Sequence, residues 1–360
     1  MNRRSSRFGR WPSSSKNTIL LFISLLPVLA LLLPDTLRNT FGDLYQASLF
    51  VAIRNVYDHL LGRLPFPSFY WLLALWISFL LFPLFRRARR VRRKLANLAF
   101  RIIFVFGCFY WLWGFNYMAA SPQDRMGLQR SKISIDHLEN AFCRELDLIN
   151  YTRPKTIRFD KISIENEVRE NVRLVLENAG ITTAGRPRVR TLKPHGVLLR
   201  LATAGVYMPF VGEGQIDGGM HQIVQPFTMA HEMSHAFGVG HEGSCNFVAY
   251  LAGLNSPDPL FSFSVHISYW RYLAAEIKKL DPERYKRLWK EVGPEIKRDI
   301  NEINEYYNRY PDLIPLARSP VYDQYLKMQG MKEGLGTYLQ IISWVEDWYG
   351  RYGKDKTGGI

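Results

Sequence analysis

The stretch that decides the reading is HEMSHAFGVGHEGSCNFVAYLA, His231 to Ala252. Pro226 suits the first turn of a helix, so a helix is predicted from there to about Phe237. His231 and His235 then stand at i and i+4, one turn apart on one face. That spacing lets two imidazoles bind one zinc ion. Glu232 follows the first histidine on the same turn, where it can hold the metal's water and take its proton as general base.

Zinc needs a third protein ligand, and two are on offer. Gly238 and Gly240 can break the helix and turn the chain back. His241 completes HExxHxxGxxH, the metzincin spacing. Glu242 opens Glu-Gly-Ser-Cys-Asn, which places Asn246 at i+4 on the same face of a second helix. Asn246 can accept a hydrogen bond from a ligand imidazole and so fix its tautomer.

Around this stretch the chain from Ser121 onward is mostly helical. Ser134 to about Asn150 and Ser163 to Asn178 carry apolar residues at helical spacing, the second stopping at Gly180. Between 181 and 220 the pattern changes. Arg188–Thr191, Val197–Ala202 and Gly205–Ile216 read as short strands, the last interrupted by glycines. A strand ahead of the zinc helix can act as an edge to which substrate backbone adds by β-pairing. Tyr207 and Gly212 are the candidate substrate contacts on it, and Tyr207 or His221 could polarise a scissile carbonyl. His59, His137, His195 and His266 carry no motif and read as structural, and Tyr269, Trp270 and Tyr272 read as core. Helices return after Leu260, with breaks at Gly293–Pro294, Pro311 and Pro315. Three cysteines, Cys108, Cys143 and Cys245, make no disulfide framework and leave only a Cys143–Cys245 pairing open.

The 360 residues carry 47 Lys+Arg against 32 Asp+Glu, net +15, with 14% aromatic residues. That aromatic content excludes a disordered chain. The charge is not spread evenly. Residues 1–120 hold 16 basic and 3 acidic side chains, which leaves 31 and 29 for the rest. The excess sits in two blocks, Arg3, Arg4, Arg7, Arg10 and Lys16, and then Arg86, Arg87, Arg89, Arg90, Arg92, Arg93 and Lys94. Each adjoins an apolar run. Nucleic-acid binding needs basic residues on a folded face or recognition helix, so that class is set aside.

The apolar runs are Thr18–Leu33, Phe69–Phe85 and Ile102–Ala120, all without charged residues and near the roughly 20 residues a bilayer crossing takes. The first follows a basic start like a signal peptide's, but two more runs follow it, so it reads as an uncleaved anchor. The positive-inside rule places both basic blocks in the cytoplasm and, with three spans, everything after Ala120 outside it. Leu44–Leu61, in the outer loop, reads as an interfacial helix or a polar linker with some helix.

The sequence resembles an uncharacterised bacterial family of three-span, membrane-anchored HExxH proteins regarded as zinc peptidases, a domain of unknown function. The likeness rests on Trp113–Tyr117 (WGFNY), Tyr207–Glu213 (YMPFVGE), the HExxH stretch, Asn246–Phe247 with Ala249–Tyr250, Ser256–Asp258 (SPD) and Tyr325–Lys327 (YLK). It covers nearly the whole chain. The family pattern keeps Gly, Glu and Asn at the positions of Gly238, Glu242 and Asn246 and does not generally place His at 241. The resemblance therefore implies a gluzincin-like site with zinc on His231, His235 and Glu242. Ser244 and Cys245 stand where the family usually has a second acid.

The expectation is thus an α+β, mostly helical chain. Residues 1–120 form a membrane domain with helices at about 18–33, 69–85 and 102–120. Residues 121–360 form an extracytoplasmic zincin-like metallopeptidase domain on a bacterial inner membrane, with a peptide or protein as substrate. A non-catalytic envelope protein with a structural or vestigial zinc site is the alternative.

Overall fold

In the computed structural model the described residues are 15–85, 91–129, 133–254, 256–313 and 340–353. Arg3, Arg4, Arg7, Arg10, Arg86, Arg87, Arg89, Arg90, Pro315 and the Tyr325–Lys327 stretch lie outside them. The amino-terminal part holds α1 (Ser15–Leu31), α2 (Asp35–Tyr45), α3 (Val51–Leu60), α4 (Phe69–Phe85) and α5 (Val91–Leu112). α5 packs against both α1 and α4. Its crossing with α1 is close because Gly107 has no side chain. A Cβ there would lie 2.6 Å from the Ser24 Cα, the small-residue contact that lets apolar helices approach backbone to backbone.

Among the described residues one helix, Lys94–Leu112, is long and apolar enough to cross a membrane, while Ile19–Leu31 and Phe69–Phe82 are shorter apolar helices. The run expected over 102–120 is corrected at both ends. α5 starts earlier, at Val91. It stops at Leu112, and Gly114–Met118 continues as a buried 3-10 turn. Trp113, Phe115 and Tyr117 are apolar because protein covers them, and hydropathy does not separate that from lipid.

The segment between α1 and α4 is neither a linker nor a lone interfacial helix. α2 and α3 are joined through a π-helical turn, Gln46–Phe50. Gly42, Tyr45, Gln46, Phe50 and Arg54 are buried at helical spacing. This face docks on the second half of the chain. Gln46 Nε2 donates to the Gly238 carbonyl at 2.8 Å, and Arg54 Nη1 donates to the Gly212 carbonyl at 2.5 Å while its Nη2 pairs with Asp58. Gly42 lies so close to the 3-10 turn that a Cβ would sit 2.3 Å from backbone atoms of Met118 and Ala119. Backbone cannot swing aside, so Gly42→Ala should cost roughly 1–3 kcal/mol. A thermal unfolding curve of the detergent-solubilised variant checks this, and an unchanged midpoint counts against the docking.

The second half holds α6 (Pro122–Arg125), α7 (Ile135–Thr152), α8 (Lys161–Asn178), β1 (Arg188–Leu192), β2 (Gly205–Met208), β3 (Glu213–Asp217), α9 (Gln225–Ala236), α10 (Glu242–Leu254), α11 (Pro259–Leu280), α12 (Pro282–Glu291), α13 (Pro294–Asn308) and α14 (Gln340–Tyr352). The described chain is therefore mostly helical with a three-stranded sheet, ordered β1-β3-β2. β1 runs parallel to β3 and β2 antiparallel, leaving β2 at the edge.

Two strand readings need correction. Gly205–Ile216 is a hairpin rather than one strand, because Gly212 at φ 64 closes a turn between β2 and β3. Val197–Ala202 holds a 3-10 turn at Leu199–Leu201. The buried Asp217 carboxylate organises it by accepting the Gly196 and Leu198 N–H groups, each at 2.7 Å. A short apolar run cannot report that distant acceptor.

α10 is buried on all sides from Glu242 to Gly253. α9 packs between the sheet on one side and α8 and α10 on the other. A buried polar network anchors α10 from behind. Glu145 of α7 accepts from Tyr250 at 2.7 Å and pairs with His266 of α11 at 2.8 Å. Glu346 of α14 accepts from Tyr269 and Arg144 and meets His137. His266 is thus buried within this network, while the half-exposed His137 pairs with Glu346 at its edge. Cys143 is exposed, Cys245 is buried, and both are free.

Candidate metal centre

α9 presents His231, Glu232 and His235, and its ending positions the rest. Gly238 adopts φ 96, where glycine alone is unstrained. Val239 N–H bonds the Ser234 carbonyl and Gly238 N–H the His235 carbonyl, both at 3.0 Å. This is the Schellman stop. It reverses the chain one residue-pair beyond His235 and swings the Val239 carbonyl back onto His235 Nδ1 at 2.7 Å. The chain then enters α10, with the Cys245 N–H bonded to the His241 carbonyl.

Glu242 and Asn246, one turn apart on α10, grip His231 from two sides. Asn246 Oδ1 lies 2.7 Å from His231 Nδ1, and Glu242 Oε2 lies 3.0 Å from His231 Nε2. The same Glu242 oxygen is 3.4 Å from His235 Nε2. Both Nδ1 atoms face oxygen acceptors, so each carries a proton, and the neutral ring then holds its lone pair on Nε2. Two nitrogen lone pairs and a carboxylate oxygen therefore converge on one point. Such a cluster repels itself unless a cation or added protons sit among the three atoms. Burial alone pushes the Glu242 carboxyl up, but positive charge on the adjoining imidazoles, the added protons of the metal-free state, outweighs it and holds it well below the usual carboxylate range.

His231, His235 and Cys245 also come together, with one donor atom of each within 4.8 Å of the others. The thiol lies 3.3 Å from His235 Nδ1, the nitrogen already committed to Val239. It is on the far side of the ring from Nε2, and burial pushes it well above the usual thiol range.

Glu232 is wedged between α9 and the sheet. A Cβ on Gly205 would stand 2.4 Å from Glu232 Oε1, and one on Gly214 would stand 2.8 Å from the Glu232 Cβ. The two glycines make the room this carboxylate occupies. Its Oε2 is buried and makes no hydrogen bond. Burial, with Glu242 nearby, pushes the carboxyl up to about 8 despite the pull of His231.

These groups open onto a cleft of about 520 Å³. One wall is β2, through Gly205, Val206 and Tyr207, followed by Pro209. Another wall is Phe109 of α5 with Trp113 and Tyr117. Trp113 is built into the site, since its Nε1 donates to the His235 carbonyl at 2.9 Å and its ring packs on the His235 and Tyr207 rings. Tyr272 of α11 lines the third side, and burial pushes its phenol up to about 12, so it is a neutral donor.

The expected residues His231, His235, Glu232, Glu242 and Asn246 thus meet at one place. Tyr207 lines the cleft, but its hydroxyl reaches toward Arg54. Three others stand elsewhere. Gly212 is in the hairpin turn against Tyr57 and Arg54, because its positive φ serves the turn. His221 caps a 3-10 turn through Ile223 N–H. His241 sits at the mouth of α10 with its ring against Tyr117 and does not line the cleft. Sequence reasoning missed Phe109, Gly205 and Tyr272, and gave Trp113 no role. Tyr272 follows two buried aromatic residues and is indistinguishable from core by spacing.

Residues 45–345 match the family described as Protein of unknown function (DUF3810), and the chain belongs to that family. No curated protein and no solved structure matches it.

Proposed function

We propose that the protein is a membrane-anchored, zinc-dependent peptidase. The observation that carries this is the convergence of two imidazole Nε2 atoms and one carboxylate oxygen whose other partners are already fixed. Separations of 3.0 and 3.4 Å bracket the edge of about 3.3 Å expected between ligand atoms at zinc's usual 2.0–2.1 Å bond lengths in a tetrahedron. Two imidazoles and a carboxylate suit zinc by donor type. His231, His235 and Glu242 would hold it, leaving the cleft side open. A zinc ion in that position lowers the pKa of a water toward about 7 and polarises a carbonyl.

The protein groups supply the remainder. Glu232 lines the cleft with a carboxylate whose Oε2 has no hydrogen-bond partner, and a nearby cation would favour its ionised form. It takes the proton of the attacking water as the water oxygen bonds to the carbonyl carbon. It returns that proton to the amine nitrogen as the C–N bond breaks. The Tyr272 O–H is placed to donate to the carbonyl oxygen as it gains charge. β2 holds the substrate. Asp217 N–H bonds the Ala204 carbonyl at 2.9 Å, so by antiparallel alternation Val206 and Met208 face β3 while Gly205 and Tyr207 turn their N–H and C=O outward. An extended peptide can pair there.

Ligation through Cys245 would close the site and make the metal structural. It requires His235 to turn Nδ1 away from Val239, which favours the catalytic reading. The three-span anchor belongs to the same proposal. α1 and α4 are shorter than Lys94–Leu112, and local thinning of the bilayer accommodates such spans. The basic blocks then set the amino terminus in the cytoplasm and the cleft outside it.

The full chain purified in detergent should carry one zinc per molecule and cleave a peptide library in a chelator-sensitive way. Absence of bound metal overturns the proposal. Asn246→Ala should weaken zinc binding about 10–100-fold by freeing His231, read by competition with a chelating dye. Gly205→Ala touches only the movable end of Glu232, so it should keep the fold and the metal and lower turnover about 100-fold. Activity within twofold of the parent would dissociate Gly205 from Glu232 placement.

A further inference from the structure

We propose that the cleft's substrate is a polypeptide anchored in the same membrane, cut within a few residues of the bilayer surface. This rests on the peptidase reading and names its substrate class. Phe109 lies inside Lys94–Leu112, the helix apolar enough to cross a membrane, yet it lines the cleft. It is three residues short of the end of that helix, so the cleft reaches about 4.5 Å below it. The β2 wall also reaches the apolar helices. Pro209 lines the cleft, its carbonyl accepts from the Tyr57 hydroxyl, and the Phe210 ring packs 5.0 Å from that of Trp76. Trp76 is in the middle of α4, whose Trp71 and Leu75 are 72% and 64% exposed and suit lipid contact.

The direction of β2 then fixes the geometry. It runs from Gly205, beside Glu232, to Pro209, beside the apolar helices. A substrate paired along this edge has one end at the zinc ligands and the other at the bilayer. The four residue steps from Gly205 to Pro209 span about 13 Å. A chain leaving a membrane helix therefore meets Glu232 about four to six residues after it emerges. Phe109, Trp113, Val206 and Pro209 give that lower part of the cleft an apolar and aromatic lining of the kind found at membrane interfaces.

The test uses the full chain in vesicles of phosphatidylcholine and phosphatidylglycerol. One probe is a randomised segment of about ten residues fused directly to a single Leu/Ala helix of about 20 residues. A second carries the same segment behind a Gly/Ser spacer of about 40 residues, which lifts it by about 35 Å. The third is the free segment. The spacer probe shares the anchor, so it separates position from mere concentration on the membrane. The direct fusion should be cut at least tenfold faster than the other two, about four to six residues from its helix. Equal or faster cutting of the spacer or free probe, abolished in E232Q, overturns the membrane substrate while the peptidase stands. Occupancy is read without turnover in E232Q carrying a photoreactive phenylalanine analogue at position 109. Crosslinking to the direct fusion over the free segment supports the proposal even where no probe is cut. Equal crosslinking overturns it.

Discussion

Glu232→Gln should leave zinc bound and remove hydrolysis. The amide keeps the shape of the side chain between Gly205 and Gly214, where there is no space for anything larger. It cannot take a proton from water at neutral pH. General acid–base residues supply about 10²–10⁴ in rate. A loss of about 10³-fold is expected, equivalent to about 4 kcal/mol of transition-state stabilisation. Replacing a buried carboxylate that lacks a hydrogen-bond partner at Oε2 should not lower stability. The paired measurement is metal content and peptide turnover on one sample, with thermal unfolding as the control for folding. Normal turnover by a zinc-loaded E232Q protein sinks the mechanism. Loss of zinc would instead make Glu232 a ligand.

The second large effect separates the two candidate ligands. Glu242→Ala should take the protein from one zinc per chain to well below that, because two imidazoles alone remain at the point where three donors converged. His241→Ala should keep its zinc, since His241 stands outside the cleft with its ring against Tyr117. Removing Glu242 also strips His231 and His235 of the charge that faces their Nε2 atoms. Both variants are measured by metal analysis after dialysis against a weak chelator. Full occupancy in Glu242→Ala, with loss in His241→Ala, reverses the assignment.

Much of the centre was legible because the HExxH spacing is local. His231, Glu232 and His235 are separated by one helical turn, and Glu242 and Asn246 by another, so spacing alone brings each set onto one face. The choice between His241 and Glu242 was not local. It depends on where the Gly238 stop leaves the chain, and a one-residue change in the start of α10 exchanges one side chain for the other. Gly205 read only as the start of a strand, but its role is set by a carboxylate 27 positions away. Tyr272 looked like core because an aromatic residue lining a cleft and one filling an interior follow the same helical spacing.

The amino-terminal third shows the same division. Its apolar runs and basic blocks follow from composition, and the family likeness follows from short motifs along the chain. That Trp113, just past the end of α5, packs under His235, and that α2 and α3 brace the hairpin rather than float beside it, follows from neither. By itself the sequence determined the elements whose cause lies within a turn or two: the mostly helical content, the two histidines with their acid, and the apolar segments. The tertiary structure alone decided which carboxylate meets both imidazoles and which wall the cleft shares with the long apolar helix α5. Helix spacing is set by bonds between near neighbours, whereas a cleft is set by which distant surfaces bury each other, and burial is non-directional and leaves no local period in the chain.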